Sequence, residues 1–79
     1  MQLIEKQIID ILHDRFTSMD LAITRWMNLQ TDLGLDSLDI MELVVILETE
    51  FNIIISDQES DDIRTVDGII ELIREKIQR

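Results

Sequence analysis

The run Asp32-Leu33-Gly34-Leu35-Asp36-Ser37-Leu38-Asp39-Ile40-Met41-Glu42-Leu43-Val44-Val45-Ile46-Leu47-Glu48-Thr49-Glu50-Phe51 contains a turn, a helix start and a helix with two apolar faces. Asp36 suits an N-cap, its carboxylate accepting a backbone N–H two or three residues on, and Asp39 falls in the first turn, where negative charge is favoured. The helix is expected over 37–51. At about 100° per residue, Ile40, Leu43, Val44, Leu47 and Phe51 share one sector, the spacing of a core-facing stripe. Leu38, Met41 and Val45 form a second strip, roughly opposite, with Glu42 on one edge and Glu48 on the other. A small protein has little material with which to cover both faces. An apolar strip rimmed by carboxylates is the pattern of a docking helix, the competing reading being a central helix buried nearly all round.

Three further helices flank this one. Ile4, Ile8, Ile11 and Leu12, extended by Phe16, predict a first helix over 3–16. Ser56-Asp57-Gln58-Glu59 is a capping box and opens a short helix over 57–62. Thr65 can cap a fourth, whose stripe is Val66, Ile69, Ile70, Ile73 and Ile77, with Arg74, Lys76 and Arg79 near its positive-charge-seeking end. Residues 17–35 form a long connection that must pack Leu21, Ile23, Trp26, Leu29 and Leu33 onto the core. Trp26 reads as a packing residue. The expected fold is all-α, a small four-helix bundle of three longer helices and one short one with a long first loop, in a single domain over 1–79.

The chain of 79 residues has a formal charge of −10, and that charge is localised. Between residues 26 and 63 there are ten carboxylates and no Lys or Arg; outside that window, seven basic residues balance seven acidic ones. Such a surface argues against nucleic acid, whose phosphates need Lys and Arg, and for basic protein partners. Cysteine is absent, which excludes disulfides, thiolate metal sites and a thiol nucleophile. No apolar run approaches the ~18 residues of a membrane span, and the N-terminus lacks a secretory signal, so a soluble cytoplasmic protein is expected. Asp57, Glu59 and Asp61 alternate as in a calcium loop, but Asp62 and Gly68 stand where that loop requires Gly and Glu. His13 has no second histidine for a metal site. A serine hydrolase is excluded by size and by the missing Gly-x-Ser-x-Gly elbow.

Asp32-Leu33-Gly34 followed by Asp36-Ser37-Leu38-Asp39 resembles the attachment signature of the acyl carrier proteins: an Asp-Leu-Gly turn, an Asp-Ser-Leu and an acidic recognition helix. The similarity continues through Glu42-Leu43-Val44, Leu47-Glu48, Glu50-Phe51, Ile55, Asp57, Ile63, Thr65-Val66 and Ile73, and is weakest over 17–28. The resemblance implies a non-enzymatic carrier of acyl groups. Ser37, flanked by Asp36 and Leu38, would carry 4′-phosphopantetheine, placed there from coenzyme A by a separate phosphopantetheinyl transferase. A helix N-terminus is a favourable setting for its phosphate, and Gly34 permits the turn that exposes the hydroxyl. The plain alternative for Ser37 is a helix-capping role.

By the same resemblance, Asp39, Met41, Glu42, Val45, Glu48 and Ile55 would face acyl-transferring and synthase enzymes through their basic patches, and the acyl chain would lie against Leu47, Phe51 and Ile63. A monomer is expected. Ser56 replaces a proline common in relatives, Thr49 and Ile54 stand where fatty-acid carriers are often acidic, and Trp26-Met27 is unusual. A specialised polyketide or lipid pathway therefore stands beside general fatty-acid synthesis. Two other readings stay open, an aminoacyl or peptidyl carrier and an unmodified acidic adaptor, and the acidity of the second helix favours the acyl kind over the peptidyl.

Overall fold

The computed structural model describes residues 2–16 and 22–78. It contains four helices: α1 (Gln2–Arg15), α2 (Ser37–Phe51), α3 (Asp57–Asp61) and α4 (Val66–Ile77). The described residues form no β-strand, only one isolated antiparallel bridge between Asn28 and Thr65. The all-helical bundle follows from the stripes. Ile8 and Leu12 of α1, Leu43 and Leu47 of α2, and Val66, Ile69, Ile70 and Ile73 of α4 are buried in one cluster. Each such side chain removed from water contributes roughly 1.5–3 kcal/mol, which offsets the cost of ordering a short chain. α1 packs directly on α4.

The helix ends agree with their local chemistry. The Asp36 carboxylate accepts the Asp39 N–H at 2.9 Å, and the Asp39 carboxylate accepts the Asp36 N–H at 3.2 Å. The Ser56 hydroxyl and Glu59 carboxylate form the same reciprocal pair at the head of α3. Thr65 Oγ1 accepts the Gly68 N–H at 3.0 Å and caps α4. α2 stops at Asn52, whose left-handed backbone (φ 54°) lets its N–H and that of Ile53 return to the Glu48 carbonyl. α1 begins one residue earlier than expected and ends at Arg15, with the Phe16 N–H still bonded to the Leu12 carbonyl.

Residues 25–29 of the long connection are held by hydrogen bonds to residues 64–67 at the start of α4. Leu29 N–H donates to the Arg64 carbonyl (2.9 Å), Val66 N–H to the Met27 carbonyl (3.0 Å) and Asp67 N–H to the Arg25 carbonyl (2.7 Å). Asn28 Oδ1 accepts the N–H groups of Gln30 and Thr31, while Asp32 accepts the N–H of Asn28. This folds 28–33 into a tight turn that ends at Gly34 (φ 73°), a backbone angle that suits glycine. The turn drives Leu29 and Leu35 into the core beside Ile23, while Leu33 is only partly buried.

Trp26 departs from its expected packing role: it is 76% exposed. Its neighbour Arg25 takes the anchoring role instead, pairing with Glu5, Asp67 and Glu71 and lying 5.6 Å from the indole centroid. Hydrogen bonding to Asp67 raises the Arg25 pKa, so this cation is fixed at all relevant pH. Leu21, expected in the core, and Arg79, expected near the end of α4, lie outside the described residues.

Candidate functional site

Ser37 is the first residue of α2 and is exposed. Its hydroxyl makes no hydrogen bond to a described residue, because Asp36 and Asp39 satisfy the helix start between themselves. The capping alternative for Ser37 is therefore displaced: the adjacent aspartate is the cap. A serine freed from capping, at the positive end of a helix dipole, is an accessible oxygen in a setting that favours an attached anion.

A cleft of about 270 Å³ opens beside Ser37, between α2, the 28–30 turn and the α3–α4 link. Ile40 and Ile63 supply its apolar wall, and Asn28, Gln30, Ser60, Asp61 and Arg64 its polar one. Of the three residues expected to line an acyl site, Ile63 borders this cleft. Leu47 is fully buried in the core and Phe51 is half-buried, further along α2; neither is in the cleft wall.

The second strip of α2 is open to solvent. Leu38, Met41 and Val45 are 65%, 63% and 59% exposed, and with Glu42 and Ile46 they line a shallow groove that reaches Arg15 of α1. The helix is thus not buried all round.

Two expected surface residues behave differently. Ile55 is only 6% exposed and belongs to the core, so its expected place on a partner surface is corrected. Half-buried Glu48 holds the backbone there, its carboxylate accepting the Ile55 N–H at 2.8 Å. That bond ties the α2–α3 link to the helix at the point where Ile55 is buried and Ile54 faces water. The structural duty of Glu48 was not apparent from its position on the strip, since it depends on a partner seven residues away.

Glu59 also has a tertiary role. It accepts the Ser56 N–H and pairs with Lys76 of α4 at 2.9 Å. These bonds, the Ser56 backbone donor foremost, lower its pKa. The alternating acidic run at 57–61 thus lies on a helix, with its middle carboxylate committed to holding α3 against α4.

Residues 7–73 match the family described as the phosphopantetheine attachment site. The chain belongs to the acyl carrier protein family. It is 39% identical over 77 residues to the acyl carrier protein of Buchnera aphidicola, covering 98% of this chain and 99% of that one. Its identity to the acyl carrier protein of Porphyromonas gingivalis is 36% over 75 residues, or 95% and 96% of the two chains. The crystal structure of an acyl carrier protein from Thermotoga maritima superimposes with a TM-score of 0.84 at 25% identity, covering 98% of this chain and 89% of that one.

The cofactor of this carrier is 4′-phosphopantetheine, whose terminal thiol holds acyl groups as thioesters. The residues present fit it: an exposed serine oxygen not used by the helix cap opens beside a cleft with an apolar wall and a polar one. Acyl carrier proteins in general work with acyltransferases, synthases and a phosphopantetheinyl transferase, as carriers rather than catalysts. Among the described residues, no helix is long and apolar enough to cross a membrane.

Proposed function

We propose that Ser37 is the residue that carries 4′-phosphopantetheine. The observation that carries this reading is the exposed Ser37 hydroxyl at a helix start whose capping is done entirely by Asp36 and Asp39. Asp36 holds the first turn in place, and Leu38 offers the transferase an apolar contact one residue from the reacting oxygen.

We propose further that the exposed strip of α2 is where partner enzymes dock. Leu38, Met41 and Val45 supply apolar contact, and Glu42, with Asp39 at the head of the helix, faces basic residues of the partner. Long-range attraction speeds encounter, while solvent-exposed ion pairs add little final affinity. That combination suits a carrier that must bind and leave many times. Glu48 contributes charge to this face but is tied to Ile55, which limits its reach.

Ile63 is the proposed first contact for an acyl chain entering the protein from the cleft, with Leu47 and Phe51 deeper along α2. The chain itself performs no catalysis; it acts as a single-domain monomer in the cytoplasm, serving fatty-acid synthesis or a specialised polyketide or lipid pathway. Glu42 and Asp39 beside an apolar strip support the acyl reading over a peptidyl carrier. The test is incubation with a phosphopantetheinyl transferase and coenzyme A, read by intact mass. Wild type should gain one prosthetic group and Ser37→Ala none; a loaded Ser37→Ala would move the site elsewhere.

A further inference from the structure

Among the described residues, Arg64 is the only basic side chain in the wall of the cleft beside Ser37. It is exposed, and its guanidinium has no partner among the described residues, whereas Lys6, Arg25, Arg74 and Lys76 each hold a carboxylate. The backbone of Arg64 is nonetheless fixed. Its carbonyl accepts the Leu29 N–H at 2.9 Å, and the next residue, Thr65, forms the bridge with Asn28. The main chain is thus clamped against the 28–30 turn while the cationic end is free to move within the cleft mouth.

Charge balance at Ser37 gives that cation a purpose. Ser37 stands between the carboxylates of Asp36 and Asp39, and Asp61 lies in the same cleft wall. A phosphodiester on the Ser37 oxygen adds a further anion to this cluster. The helix dipole offsets only about half a charge, and the two aspartates already draw on it. Among the described residues, Arg64 is the one full positive charge bordering the same space.

We propose that Arg64 is a positioning residue for the phosphodiester on Ser37, a proposal that rests on the serine assignment above. A guanidinium can donate two parallel N–H bonds to two phosphate oxygens, a geometry that a single ammonium does not reproduce. Engaged in this way, Arg64 pins the root of the prosthetic arm over the cleft and sets the rest of it along Ile40 and Ile63.

The test uses wild type, Arg64→Lys and Arg64→Gln, each loaded from coenzyme A and checked by intact mass. Two signals are then read at low and high salt: the Arg64 Nε–H resonance before and after loading, and the ³¹P resonance of the loaded protein. Loading is expected to shift the Arg64 Nε–H signal in wild type. The ³¹P signal of Arg64→Gln should differ from wild type, with Arg64→Lys between them, and high salt should move the wild-type signal toward that of Arg64→Gln. An unmoved Nε–H signal in fully loaded wild type, or the same ³¹P resonance in wild type and Arg64→Gln, overturns the proposal while leaving the serine assignment intact. Failure of wild type to load, or loading of Ser37→Ala, overturns the serine assignment and this proposal with it.

Discussion

The carboxylates of Asp36 and Asp39 close on each other's backbone N–H groups, at 2.9 and 3.2 Å, and Ser37 sits between them without taking part. Removing the cap should therefore damage the site through the helix start rather than through the serine itself. Asp36→Ala is expected to cost about 1 kcal/mol of stability, and Asp36→Asn, which still accepts a hydrogen bond, much less. Urea unfolding of both variants measures this. Equal losses for the two would indicate that capping is not what Asp36 contributes.

Glu48 separates charge from structure on the proposed docking face. Its carboxylate accepts the N–H of the buried Ile55. Glu48→Ala strands that donor and should cost about 1–3 kcal/mol, whereas Glu48→Gln keeps an acceptor and should stay near wild type. Thermal or urea unfolding of the pair distinguishes the two roles. It follows that Glu48→Lys would confuse docking with folding, and that Glu48→Gln is the cleaner probe of charge.

The attachment of α3 should weaken in acid. Glu59 has its pKa lowered below the ordinary 4.5 by the Ser56 N–H and by Lys76. A carboxyl depressed in the folded state contributes stability that is fully present above its unfolded pKa and is lost as pH falls through the folded one. Wild type should thus be more stable than Glu59→Gln at neutral pH, and the gap should close as pH drops below about 4.5. Urea midpoints for both proteins across pH 7 to 3 check the sign; a gap that widens in acid would contradict it.

Docking should depend on Glu42 electrostatically and on Met41 through contact. Glu42→Lys is expected to slow loading by the transferase most at low salt, with the difference shrinking above about 0.15 M as screening sets in. Met41→Ser, which removes an apolar contact from a side chain that is 63% exposed without adding charge, should slow loading at every salt concentration without unfolding the protein. Initial loading rates against ionic strength measure both. Rates indifferent to both substitutions would remove the docking role of this strip.

The helices were legible because they depend on local rules. The caps at Asp36, Ser56 and Thr65 and the stripes of α2 and α4 are set within three or four residues, and the helices appear where those signals stand. The exposed strip of Leu38, Met41 and Val45 was legible for the same reason; Ser37 was singled out by the resemblance, since spacing alone favours a capping role. What escaped depended on distant partners. Ile54 and Ile55 are equally apolar, and it is Ile55, whose N–H donates to the Glu48 carboxylate seven residues away, that lies in the core. Trp26 looked like a packing residue by size, but the hydrogen bonds from the 25–29 segment to residues 64–67 fix the strand of chain that carries it and leave the indole outside. The cleft could not be read from spacing, because Arg64 joins it through the Leu29 contact across the fold.

The central claim is that one serine holds the prosthetic group, and fragmentation mass spectrometry of the loaded protein tests it most directly. The added mass of one phosphopantetheine should map to a fragment containing Ser37, with fragments containing Ser18, Ser56 and Ser60 unmodified. An adduct on any of those three serines, or an unmodified Ser37 fragment from fully loaded protein, would contradict the account.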